Sequence, residues 1–133
     1  MKRMILSAVV LAIVMCGCLT TNVDPNAAQL TVDFSWKDVK SGSTVSPAIK
    51  VSGFPAETKY FTVKLADLDV PAFNHGGGKV ENDGTGIIAA GALKDDYKGP
   101  NPPSGSHRYE FTVQAVNAEG TIIGIGKSTK KFP

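Results

Sequence analysis

The segment HRYEFTVQAV, residues 107–116, alternates apolar and polar side chains with a period of two residues. Tyr109, Phe111 and Val113 occupy alternate positions, and polar side chains stand between them. Because successive side chains of a strand point to opposite faces of its sheet, this pattern predicts a strand with one buried face. Glycine and proline are frequent in the preceding residues, 95–106, which predicts a loop that ends where the strand begins.

The same period of two recurs along residues 29–133, a length that suits one domain. Leu30, Val32, Phe34 and Trp36 share one face of a predicted strand. No later stretch shows a helical period of ten or more residues. The pattern therefore predicts a single all-β domain of mostly antiparallel strands, arranged as a sandwich or a partly open barrel. Further strands are predicted at residues 48–52, 58–66, 86–90 and 121–127.

Residues 1–17 have the features of a lipoprotein signal peptide. Lys2 and Arg3 form a short basic segment, and an apolar run of signal-peptide length follows at residues 4–15. That run is shorter than the about 20 residues that span a bilayer, although an uncleaved anchor helix remains an alternative. Cys18 stands in a pattern that resembles a bacterial lipoprotein box, whose cysteine carries the lipid. We therefore expect a membrane-anchored lipoprotein of the cell envelope that faces the periplasm or the exterior.

Residues 18–28 are predicted to be the lipidated cysteine and a flexible tether, because they are polar, contain a proline and show no period. The folded domain is then residues 29–133, which we expect to be a monomer. Cys16 leaves with the signal peptide, so the domain has no thiol for a disulfide. Two of the 14 basic residues also leave with it, and the remainder balance the 12 acidic residues. A neutral domain offers no electrostatic footprint for nucleic acid.

Two predicted strands have polar side chains at the ends of their buried faces. Counting by twos along the strand at residues 58–66 leads to Asp67 and Asp69. The strand of residues 107–116 begins with His107 and Tyr109 on its buried face. If the two ends meet, they form a polar site at the rim of the core. The alternative is that the aspartates only shape a turn and that the histidine is an ordinary rim side chain.

Two blocks of sequence resemble a known family. SPAIKVSGFPAETKYFTVKLADLDVP, residues 46–71, and GPNPPSGSHRYEF, residues 99–111, are similar to the two signatures of the phosphatidylethanolamine-binding proteins, also called Raf kinase inhibitor-like proteins. The resemblance implies that family's β-sandwich and a small pocket for phosphate-like anions, with Arg108 outside it. The pocket residues implied by the matching positions are Asp67, Asp69, Pro71, His75, Gly99, Pro100, His107 and Tyr109.

The chain departs from the family pattern at several positions. Leu68 stands where the family usually has proline, and Asn101 where many members have cysteine. The glycines at residues 76–78 replace an aromatic, hydrophobic strand. A glycine run can present successive backbone N–H groups to an anion as a nest, or it can be a flexible loop, and both interpretations stay open.

We therefore expect a lipid-anchored, non-enzymatic binding module for a phosphorylated head group or another small anion, with no cofactor and no metal. His75, His107 and the Tyr109 hydroxyl would donate to the anion, and Asp67 would orient a histidine. One alternative is a hydrolase that uses the His/Asp cluster for acid–base chemistry. Another is a structural envelope protein with a vestigial pocket. A zinc site is a weaker interpretation, because only two histidines are present.

Overall fold

Two β-sheets pack against each other in the computed structural model, which describes residues 22–133. One sheet has five strands in the order β1-β8-β7-β4-β5, and the other has three in the order β2-β3-β6. The strands are β1 (Val23–Gln29), β2 (Thr31–Phe34), β3 (Ile49–Ser52), β4 (Tyr60–Asp67), β5 (Gly77–Glu81), β6 (Ile87–Ile88), β7 (His107–Val116) and β8 (Ile122–Phe132). Every pairing is antiparallel except that of β1 with β8.

The prediction of an all-β domain with mostly antiparallel strands is therefore confirmed. Within the described part of the chain, no helix is long and apolar enough to cross a membrane. The predicted signal peptide and Cys18, the cysteine predicted to carry the lipid, lie outside the described residues.

The core lies between the two sheets and is lined by alternate side chains of each strand. On β2 and directly beside it, Leu30, Val32 and Phe34 are buried and Trp36 is half-buried, as the period of two predicts. The rings of Phe34 and Phe111 meet edge to face with centroids 4.8 Å apart, which joins the smaller sheet to the centre of the larger one. Burial of these apolar side chains is the main source of stability for a domain of this kind.

Strands β4 and β7 are paired over eight positions, from Tyr60 opposite Val116 to Asp67 opposite Tyr109. This register brings the carboxyl end of β4 beside the start of β7. The two polar strand ends predicted from the sequence therefore meet, because antiparallel neighbours place the end of one strand next to the beginning of the other.

The glycine run forms neither of the structures predicted for it. Gly77 and Gly78 belong to β5 and pair with β4, and the N–H of Gly77 donates to the carbonyl of Asp95 at 2.9 Å. A Cβ on Gly77 would lie 1.8 Å from the carbonyl oxygen of Val63. The run is thus a close backbone crossing rather than an anion-binding nest or a flexible loop, since the N–H of Gly76 is also taken up, by the Asn74 side chain at 3.0 Å.

Part of the predicted tether forms a strand instead of a flexible segment. Val23–Gln29 form β1, which runs parallel to the first half of β8 at the edge of the larger sheet. The N–H of Ile122 donates to the Asn22 carbonyl at 2.8 Å, and that of Leu30 donates to the Ile125 carbonyl at 3.0 Å. β1 shows no period of two because its side chains are exposed or only partly buried. Residues 23–28 therefore belong to the sheet rather than to a flexible tether.

Candidate ligand-binding pocket

Asp67 is the last residue of β4 and connects three parts of the pocket region. Its Oδ2 lies 2.7 Å from Nδ1 of His107. Its Oδ1 accepts the backbone N–H groups of Asp69 at 2.8 Å and Val70 at 3.0 Å, which closes a tight turn directly after the strand. Only 4% of Asp67 is exposed. Because the carboxylate is buried, it requires these donors, and they fix its orientation.

The hydrogen bonds also determine the ionisation of Asp67. Burial alone would raise the pKa of its carboxyl group. The hydrogen bonds from His107 and from the two backbone N–H groups favour the charged form and outweigh burial, so the pKa of Asp67 lies below its ordinary value. The Asp67 carboxylate is therefore ionised throughout the physiological range of pH.

His75 is the second buried polar residue of this region, with 4% of its surface exposed. Its Nδ1 lies 2.7 Å from the carbonyl oxygen of Lys98, and the N–H of Lys98 donates back to the His75 carbonyl at 2.9 Å. A carbonyl oxygen can only accept, so Nδ1 of His75 must carry the proton. Nε2 is then the ring nitrogen that remains for a ligand.

Tyr109 lies between the two histidines and is fully buried. Its ring packs edge-on against His75, with centroids 5.4 Å apart, and stacks on His107 at 6.3 Å. Burial raises the pKa of the Tyr109 hydroxyl to about 12, and the charge of Asp67 adds to the effect. The hydroxyl therefore stays protonated, and its place beside Asp67 makes it a support for that carboxylate.

The cavity at this end of the sheet has a volume of about 440 Å³, within the usual range for small-molecule pockets. Three of the predicted site residues line it, namely Asp67, His75 and Gly99. His107 and Tyr109 were also predicted to donate to the ligand, but they do not line the cavity; His107 contacts Asp67 and Tyr109 packs against His75. The other lining residues are Gly42, Thr44, Val70, Phe73, Lys98, Asn101 and Pro103.

Asp69 and Pro71 were predicted to bind the ligand, but the structure places them outside the cavity lining. Asp69 accepts the backbone N–H of Arg108 at 2.7 Å and pairs with the Arg108 guanidinium at 3.1 Å. Counting by twos fails here because the turn after Asp67 ends the strand. Pro71 is exposed in that turn. Arg108, in turn, is held away from the pocket by this ion pair.

Gly99 and Pro100 hold two loops together. The N–H of Gly99 donates to the Ser43 carbonyl at 2.8 Å, and the N–H of Gly42 donates to the Pro100 carbonyl at 2.7 Å. A Cβ on Gly99 would lie 2.4 Å from the Ser43 carbonyl oxygen, so only glycine permits this approach. Pro100 is buried and does not line the cavity, so its part is to position the neighbouring loop.

Two solved structures share this architecture. The first is described as a phosphatidylethanolamine-binding protein homologue, CT736 from Chlamydia trachomatis; it superimposes with a TM-score of 0.57 over 81% of this chain and 98% of its own, at 21% identity. The second is YbcL from E. coli, described as a member of the mammalian family of these proteins, with a TM-score of 0.51 over 79% of this chain and 97% of its own, at 17% identity. The chain has the phosphatidylethanolamine-binding-protein fold.

The shared fold therefore confirms the family resemblance that was inferred from the two blocks of sequence. No protein-family model matches the chain. A UPF0098 protein of Methanothermobacter thermautotrophicus is 29% identical over 114 residues, an alignment that covers 68% of this chain and 70% of that protein. The fold, with a pocket at the ends of its central strands, suits a ligand-binding module.

Several residues that line the pocket were not identified from the sequence pattern, among them Lys98, Phe73 and Val70. Lys98 places its Nζ 5.9 Å from the centre of the Phe73 ring, and that ring lies 4.6 Å from His75. Phe73 and Val70 are large apolar side chains that remain 51% and 41% exposed beside the cavity. Two features of the sequence could have identified these residues. An aromatic residue stands two positions before His75, and a lysine stands directly before Gly99.

A larger groove, of about 550 Å³, lies on the outer face of the five-stranded sheet. Its charged residues Lys64, Lys79, Asp95 and Asp96 are all exposed, so it lacks the buried, oriented polar groups of the smaller pocket. Among residues 22–133, no three His, Cys, Asp or Glu side chains are grouped to hold a metal ion.

Proposed function

We propose that the protein is a lipid-anchored, non-enzymatic binding module of the cell envelope whose pocket holds a small anion, either phosphate or a phosphorylated head group. The observation that carries the proposal is the placement of His75 at the cavity wall, with its Nδ1 committed to the Lys98 carbonyl at 2.7 Å. The Lys98 ammonium group also lies at this wall, where it pairs with the exposed Asp96 carboxylate at 3.0 Å and would have to be shared with a bound anion. These groups suit an anion, because charge-assisted hydrogen bonds are the stronger ones.

The hydrogen bond to Lys98 makes anion binding dependent on pH. In neutral His75 the single ring proton is on Nδ1, so Nε2 presents a lone pair that repels an anion. In the imidazolium form Nε2 also carries a proton and becomes a donor. Affinity for phosphate should therefore rise as the pH falls from about 8.5 to 5.5, because acid favours the imidazolium form.

Asp67 influences which anions fit. Its carboxylate lines the cavity and remains charged, which repels a fully ionised ligand. A ligand that also carries a donor, such as a protonated phosphate oxygen or the ammonium group of phosphoethanolamine, can donate to it. We therefore expect phosphoethanolamine to bind more tightly than inorganic phosphate.

The test is a titration followed by NMR. The chain has two histidines, so the ring signals can be assigned with the variants His75→Asn and His107→Asn. Each exposed charge-assisted contact contributes about 1.5 to 3 kcal/mol before the costs of association, so dissociation constants on the order of millimolar are expected. Lys98→Met should weaken binding, and Lys64→Met, which removes an equivalent lysine outside this pocket, should not. If millimolar phosphoethanolamine moves neither histidine signal at pH 6, the proposal is wrong.

A hydrolase is the second candidate, and the 2.7 Å contact of Asp67 with His107 favours it, because such a pair orients an imidazole for general base catalysis. His107 does not line the cavity, however, and only 14% of its side chain is exposed. Hydrolysis of a nitrophenyl ester or phosphate by the wild-type chain, abolished in His107→Ala, would support this candidate over the binding module.

The anchor is tested separately. If Cys18 is the lipidated residue, Cys18→Ser should fail to acquire labelled fatty acid, whereas Cys16→Ser should still be labelled. Loss of label in Cys16→Ser alone would reject the assignment of Cys18.

A further inference from the structure

The described chain begins at one end of the larger sheet. The Asn22 carbonyl accepts the N–H of Ile122 at 2.8 Å, and the Asn22 side chain donates to the Thr121 hydroxyl at 3.1 Å. Thr121 directly follows the turn that joins β7 to β8. The segment that leads to Cys18 therefore leaves the domain beside this turn.

The pocket lies at the opposite end of the same strands. β7 begins at His107, which contacts Asp67, and ends at Val116, which pairs with Ile122 beside the chain entry. β7 has 10 residues, and at about 3.4 Å per residue it separates the two ends by about 30 Å. The loops that line the cavity all lie at the His107 end of β7. One follows β4, a second precedes β7, and the third is hydrogen-bonded to the second through Gly42 and Pro100.

The connection from Cys18 to Asn22 is short. It consists of four Cα-to-Cα steps, which reach at most about 14 Å when fully extended. That reach is less than half the length of β7. The domain can tilt on such a connection, but it cannot turn over to place the pocket end against the bilayer that holds the lipid.

We propose that the pocket faces away from the membrane that holds the lipid anchor, and that it therefore takes a soluble phosphate or phosphate monoester rather than a head group of that same membrane. This inference rests on the lipid anchor and the anion pocket proposed above. Free phosphates and phospholipid head groups share the chemistry that His75 and Lys98 recognise, and the distance between anchor and pocket separates the two sources.

Fluorescence quenching tests the orientation. Ala72 and Ala118 are both exposed, and they lie in turns at the pocket end and at the anchor end, respectively. In the lipidated chain each of the variants Ala72→Cys and Ala118→Cys carries one free thiol for a fluorophore. In phosphatidylcholine vesicles with a quencher on the lipid head groups, the label at residue 118 should lose most of its fluorescence and the label at residue 72 little. Equal quenching, or stronger quenching at residue 72, would overturn the inference.

A binding measurement tests the source of the ligand. Soluble phosphoethanolamine should bind the anchored protein equally well on phosphatidylcholine vesicles with or without added phosphatidylethanolamine. Inserting about twelve Gly and Ser residues after Cys18 extends the maximum reach to about 50 Å, and vesicle phosphatidylethanolamine should then compete. Competition without the insertion would refute the inference and leave the anion pocket intact. Failure to bind phosphoethanolamine on either vesicle would instead reject the proposed function, while the quenching result still decides the orientation.

Discussion

Asp67 shows how one side chain can serve both a turn and a pocket. Its two carboxylate oxygens accept three hydrogen bonds, two from the backbone of the following turn and one from His107. The turn fixes the path of the chain toward His75, and the third bond fixes the orientation of His107. Such a buried and fully bonded group is costly to replace, because each partner loses its own hydrogen bond as well.

Asp67→Asn should destabilise the domain by about 1.5 to 3 kcal/mol, the usual contribution of a hydrogen bond to a charged group. The asparagine oxygen can still accept from the turn, but its NH₂ group faces the Nδ1–H of His107. Because the folded-state pKa of Asp67 is lowered, its contribution is complete above the unfolded pKa, about 3.9, and is lost as pH falls through the folded pKa.

Urea denaturation at several pH values checks this prediction. The difference in unfolding free energy between the wild type and Asp67→Asn should shrink as the pH falls from about 5 to 2. Asp83→Asn is the matched control, since Asp83 is exposed and bonds only to Thr85, and it should have a much smaller effect. A constant difference at all pH values would show that the charge of Asp67 is not involved.

At the scale of elements, β5 is a strand whose sequence does not look like one. It begins with two glycines, Gly77 and Gly78, which lack the β-branched and aromatic side chains that are typical of strands. They are tolerated because the backbone of β5 passes close to its neighbours, with Gly77 against Val63 and Gly78 against Leu93. Close packing of main chains therefore determines this element, and side-chain preference does not.

Gly77→Ala should destabilise the domain by about 3 kcal/mol or more, because the new Cβ would lie 1.8 Å from the Val63 carbonyl oxygen and the backbone of β4 cannot yield easily. Gly84→Ala is the control. A Cβ at Gly84 meets nothing within 4 Å, and the φ of +86° at that residue should cost only about 1 to 2 kcal/mol. Thermal unfolding of both variants decides the matter, and equal losses would contradict the proposed close crossing.

β1 contributes backbone hydrogen bonds and little apolar burial. Deletion of residues 22–28 should therefore cost only about 1 to 2 kcal/mol. The deletion uncovers the edge of β8 at Ile122, Ile123 and Ile125, and an exposed apolar edge promotes association. Light scattering should detect self-association in the chain that begins at Gln29 and not in the chain that begins at Asn22. Unchanged stability and dispersity would mean that β1 is dispensable.

The whole domain is held by its core and its sheets without covalent cross-links. Residues 22–133 contain no cysteine, so melting of this part of the chain should not change in the presence of a reductant. Its circular dichroism should be that of a β-rich protein. A shift of the melting temperature in reductant, or a strongly helical spectrum, would contradict this picture.

The sequence by itself determined the strands with a buried face. Alternation is a local property, because the geometry of a strand sends neighbouring side chains to opposite faces, and β7 occupies His107–Val116 as that pattern predicts. The meeting of Asp67 with His107 was accessible for the same reason, since each lies at a strand end on its buried face.

The tertiary structure alone decided the rest, because it depends on contacts between distant segments. Gly42 meets Pro100, and Gly77 meets Asp95, although nothing local links the members of either pair. The outward turn of Asp69 likewise required its partner Arg108 from another strand. A side-chain period describes only which face a residue occupies. It carries no information on which segment of backbone lies opposite. Such neighbouring segments determined the positions of β5, of the edge strand β1 and of the loops that form the walls of the pocket.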